Sequence, residues 1–75
     1  MKYFVTEIVT VDGAEAKAIT TKTDPKDAKM LFHQILASAY AQSKLDYCMA
    51  SVTNEFGGVE NIEVYHKPEP EPNED

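Results

Sequence analysis

The chain has 75 residues, seven lysines, no arginine and 13 acids, for a net charge of −6. That is one domain at most, with a thin core, since a chain this short hides only about 60% of the surface its unfolded form exposes. Cys48 is the single cysteine, which rules out an intrachain disulfide and a multi-cysteine zinc site. Without either staple, a homo-oligomer is the expected support for so small a scaffold.

The charge divides evenly. Residues 67–75 hold one lysine and four acids, and the rest of the chain holds six lysines and nine acids. Duplex nucleic-acid binders carry a basic, usually arginine-rich patch, because phosphate contacts dominate their affinity, so duplex binding is not expected. No apolar run reaches the roughly 20 residues that span a bilayer, and no signal-peptide core opens the chain. A lone thiol suits a reducing compartment. The expectation is a cytoplasmic protein, of a bacterium or an infected host cell, with no membrane partner.

The first element is a strand over residues 2–11, rich in β-branched and aromatic types. Phe4 and Ile8 share one face; Tyr3, Val5, Val9 and Val11 share the other. Both faces are partly apolar, which fits a central strand or one whose outer face meets another subunit. Asp12-Gly13 then signals a type I′ hairpin turn, which needs positive φ at both central positions. The return strand covers 15–21. Its small residues Ala14, Ala16 and Ala18 leave room for the helix to lie close.

Asp24 suits an N-cap and Pro25 the first helical position. A helix is expected from Pro25 to Ser43, with Ala28, Leu31, Phe32, Ile35, Leu36 and Ala39 as its core stripe. His33, Ala37, Tyr40, Ala41 and Lys44 form a second stripe beside it. Residues 45–53 read as the third strand, with Cys48, Ala50 and Val52 on one face and Leu45, Tyr47 and Met49 on the other. Asn54 to Gly58 make a turn. Residues 59–66 make the fourth strand, with Ile62 and Val64 expected to be buried and Asn61 and Glu63 exposed. The fold class is therefore α+β: a ββαββ chain in which a four-stranded antiparallel sheet packs on one central helix. The domain spans 1–66, and the Pro-Glu tail 67–75 is expected to be disordered.

No catalytic, metal or cofactor motif stands out, so a non-enzymatic protein is expected. Cys48 reads as a small buried hydrophobe. The candidate ligand-binding residues are His33, Tyr40, Ser43, Lys44 and Tyr3. Tyrosine and histidine supply stacking surfaces, and the serine and lysine supply donors for phosphate.

The run Met1-Lys2-Tyr3-Phe4-Val5-Thr6-Glu7-Ile8, the hairpin turn, and a helix with Phe32-His33-Gln34-Ile35-Leu36 before a run of Ala and Ser together look like small proteins of phages and prophages of gut bacteria. The resemblance covers most of residues 1–66. The compact format also resembles phage anti-defence proteins. That resemblance implies one of two activities. One is a homo-oligomeric sponge that sequesters a cyclic nucleotide signal of bacterial immunity. The other is an acidic, nucleic-acid-mimicking inhibitor that binds a basic host or defence protein.

Overall fold

A computed structural model describes residues 1–68. Its elements are β1 (Tyr3–Val11), β2 (Ala14–Lys22), α1 (Pro25–Tyr40), β3 (Leu45–Asn54) and β4 (Val59–His66). The strands form one antiparallel sheet in the order β2-β1-β3-β4. The expected ββαββ architecture is the observed one. The tail expected over 67–75 falls, beyond Pro68, outside the described residues. Lys67 itself is tied to the sheet, its N–H donating to the Asp46 carbonyl at 2.8 Å.

The first hairpin forms as its turn chemistry dictates. Asp12 has φ 52° and Gly13 φ 83°, the two positive values that a type I′ turn requires. The turn is then fastened to the rest of the molecule: the Asp12 N–H donates to the Lys44 carbonyl and the Gly13 N–H to Asp46 Oδ2.

Helix α1 begins where Asp24 and Pro25 place it. The Asp24 carboxylate accepts the Lys26 N–H at 2.8 Å and its carbonyl accepts the Ala28 N–H at 3.0 Å. Such a cap contributes about 1 kcal/mol. The helix ends at Tyr40, earlier than the expected Ser43. Ala41 caps it by donating to Ala37 O, and the chain must then turn to deliver Lys44 to the hairpin. Ser43 and Lys44 therefore lie in a turn and not on a helical stripe.

The core lies between one helix stripe and one sheet face. Ala28, Phe32, Ile35, Leu36 and Ala39 meet Val5, Cys48, Ala50, Val52 and Leu45, all of them buried. Leu31 packs half-buried against this cluster. Each fully buried side chain of Leu or Phe size contributes roughly 1.5–3 kcal/mol. The small residues have a geometric use: Ala28, Cys48 and Ala50, all 0% exposed, let the helix lie close to the strands.

Three expectations need correction. Leu45 does not share a face with Tyr47 and Met49. Thr10 pairs with Tyr47 and Val11 with Leu45, so Asp46 is an extra residue without a partner. A bulge of this kind resets the two-residue alternation, and Leu45 turns into the core. Ile62 and Val64 are not buried but 58% and 55% exposed. They do share a face, yet it is the one the helix leaves uncovered, while Asn61 and Glu63 stand on the helix side, Asn61 half-buried and Glu63 exposed. Finally, Ala14, Ala16 and Ala18 are on the helix side but exposed. The helix lies over β1 and β3 and does not reach across the β2 edge.

Candidate binding cleft and the open sheet face

At the end of the sheet where β1 starts, the N-terminal turns of α1 and the first residues of β4 leave a cleft of about 330 Å³. It is lined by Tyr3, Pro25, Lys26, Lys29, Val52, Glu60 and Asn61. The sequence puts these groups together in three steps. Asp24-Pro25 fixes where the helix starts, which projects Lys26 and Lys29 from its first turns. Tyr3 and Val52 lie on the helix side of adjacent strands. A second bulge completes the rim: Val52 pairs with Asn61 and Thr53 with Val59, so Glu60 is unpaired and joins the lining.

The turn before β4 holds this rim in place. Asn54 Oδ1 accepts the N–H groups of Phe56 and Gly58 at 2.9 and 3.0 Å, and its Nδ2 donates to Glu60 Oε2 at 2.9 Å. A Cβ at Gly58 would come within 2.8 Å of Asn54 Nδ2, so a side chain there would displace the amide that holds the turn. Gly57 takes φ 87°, the left-handed region that glycine enters without strain. The Lys2 N–H donates to the Glu55 carboxylate at 2.6 Å, which ties the start of the chain to the same turn.

Chemically the cleft offers a phenol ring, two ammonium groups, an amide and a carboxylate already engaged by Asn54. The positive end of the helix dipole points toward it. The helix terminus is largely satisfied from within: Pro25 has no N–H, and Asp24 takes those of Lys26 and Ala28. Attraction for an anion therefore rests on Lys26 and Lys29.

The residues expected to bind a ligand are not gathered in one place. Tyr3 lines the cleft. Lys44 sits beside Asp12, past the far end of β1, which at about 3.3 Å per residue is roughly 26 Å away along the strand. Ser43 lies next to it in the same turn. His33 is exposed, with its ring edge-on to Phe32 at 5.3 Å. Tyr40 stands edge-on to Tyr65 at 5.4 Å, and its hydroxyl reaches Glu63 Oε2 only at 3.5 Å. Partial burial, then the Glu63 carboxylate, push the Tyr40 hydroxyl pKa up, so it stays a neutral donor. Lys26, Lys29, Glu60 and Asn61 were not among the expected residues. The lysines carried a signal, since Lys29 sits one turn before His33 on the same helix flank; the Glu60 bulge carried none.

Cys48 is fully buried. Burial first, and then Glu7 and Glu63, push its thiol pKa up, the reverse of what a nucleophilic cysteine needs. Among the described residues, no cluster of three or more His, Cys, Asp or Glu side chains is placed to hold a metal ion, and no helix is long and apolar enough to cross a membrane. No family model, curated protein or solved structure matches the chain.

The opposite face of the sheet differs in kind. It carries Phe4 and Ile8 of β1, Ile19 of β2, Tyr47 and Met49 of β3, and Ile62 and Val64 of β4. An antiparallel sheet with one solvated face normally turns polar residues outward. Here apolar side chains recur on all four strands among residues such as Thr6, Ser51 and Thr53, and among the described residues no element covers the face.

Proposed function

We propose that this chain is a non-enzymatic binding protein that sequesters a small anionic ligand with a planar ring, of nucleotide type, in the cleft at the start of α1. The observation that carries the reading is that Tyr3, Lys26, Lys29 and Asn61, from three different elements, line one cavity. Its volume is at the lower end of the range for small-molecule sites, which suits a base with its phosphate better than a larger dinucleotide. The inward thiol with its raised pKa supports binding without covalent chemistry. The resemblance to phage anti-defence proteins supports the same class, a sponge for an immune signal.

Isothermal titration of the full chain against cyclic mono-, di- and trinucleotides tests this. One ligand per chain should bind for at least one member of the panel. Lys29→Ala should weaken that binding by about tenfold or more, because a hydrogen bond to a charged group is worth roughly 1.5–3 kcal/mol. Absence of heat from every nucleotide, or unchanged affinity in both Lys29→Ala and Tyr3→Ala, would falsify the assignment of the cleft.

A further inference from the structure

We infer that the uncovered sheet face is a homodimer interface: two copies stack their sheets face to face, with the helices on the two outer sides. Three observations lead to a second copy of this chain as the occupant.

The first is composition by position. Phe4, Ile8, Ile19, Met49, Ile62 and Val64 lie on this face in all four strands, and Ile19, Ile62 and Val64 are 71%, 58% and 55% exposed. Cross-strand pairing makes a contiguous apolar row over three strands, since Ile8 pairs with Met49 and Met49 with Val64; on β2 the row meets Lys17, and Ile19 stands opposite Thr6. An exposed apolar patch with members on every strand of a sheet marks an interaction site.

Charge is the second. The protein is strongly acidic, yet the regularly paired positions of this face in β1, β3 and β4 carry no carboxylate. On β2, Glu15 lies 3.6 Å from Lys17, which offsets it. A basic protein partner would be drawn to other surfaces. Two copies of an acidic chain can meet here without bringing carboxylates together, which is what self-association requires.

Area is the third. Four strands about 4.8 Å apart, over about eight residues at roughly 3.3 Å each, give a footprint of about 19 by 26 Å, or roughly 500 Å² per copy. Two copies then remove roughly 1,000 Å² from water, the lower bound for a specific interface and the size of a reversible one. Stacked sheets sit about 10 Å apart with their strands within about 30° of each other. The clefts beside α1 remain on the outside, so dimerisation and ligand binding do not compete.

Sedimentation velocity of the full chain, from low to high micromolar, tests the proposal. A dimer that dissociates on dilution is expected. Ile62→Glu on β4 and Ile19→Lys on β2, each verified as folded by circular dichroism, should each shift dissociation to concentrations at least about tenfold higher, because a charge would be buried without a partner. Ala16→Lys, on the helix side of the same β2 strand, should leave the dimer intact. A wild type that is monomeric at high micromolar overturns the proposal. So does a dimer that persists in the folded Ile19→Lys or Ile62→Glu protein; if one of these does not fold, the other, on a separate strand, decides.

Discussion

The two faces of the sheet invert the usual relation between size and burial. On the helix side, Val5, Cys48, Ala50 and Val52 are closed off from solvent although none of them is larger than valine. On the other side, Ile19, Ile62 and Val64, each at least as large as any of these, stand more than half exposed. Burial in this molecule follows the position of one helix and not the hydrophobicity of each residue. The helix needs small partners beneath it to come close, and it can cover only one face. The same contrast separates the two proposed activities, with a polar cleft beside the helix for a ligand and an apolar face opposite for a second copy.

The largest effect that tests this contrast is truncation on each face. Phe32→Ala should destabilise the fold by about 3–5 kcal/mol in urea unfolding, since it empties the centre of the buried core between helix and sheet. Its cost should not vary with protein concentration. Ile62→Ala, on the open face, should instead act through the dimer, so its cost should grow as concentration rises. A Phe32-sized loss from Ile62→Ala at low concentration would break the contrast.

A smaller effect belongs to the helix start. Asp24→Ala should cost about 1 kcal/mol, because the Lys26 N–H loses its acceptor. It should also loosen the cleft, as α1 would no longer begin firmly at Pro25; urea unfolding and the nucleotide titration read the two consequences separately.

The smallest concerns Cys48. Its folded pKa lies above the unfolded value of about 8.5. Folding therefore favours the protonated thiol: its contribution is fully present below about pH 8.5 and is lost as pH rises through the folded pKa. Tyr40 acts in the same direction at higher pH, above about 10. Urea midpoints should fall with rising alkaline pH more steeply in the wild type than in Cys48→Ala, and a thiol reagent should label Cys48 only on unfolding. Equal slopes in both proteins would remove the thiol from the account.

Local chemistry was legible residue by residue. Asp12-Gly13 specified the turn, Asp24-Pro25 the helix start, and the spacing from Ala28 to Ala39 the buried stripe, because each depends on groups within a few positions of one another. The two bulges were not legible. Asp46 and Glu60 look like ordinary strand residues, and only the partner strand shows that neither is paired. Each decides something: one turns Leu45 into the core, and the other brings Glu60 to the rim of the cleft.

The candidate site shows the same limit. Tyr3 was legible as an aromatic near the start of the chain, but its neighbours Lys26, Lys29 and Asn61 come from two other elements. His33 and Lys44 were grouped by a helical stripe and Ser43 by the expected end of the helix, and the helix stops at Tyr40, before Ser43 and Lys44. By itself the sequence determined the elements, their turns and, away from the two bulges, which residues share a strand face, since these follow from backbone sterics and a period of two or 3.6 residues. Only the tertiary structure decided which face of the sheet the helix covers, because that choice rests on how all four strands and the helix pack at once. That choice leaves Ile62 and Val64 in solvent in a single chain and sets them where a second copy would bury them.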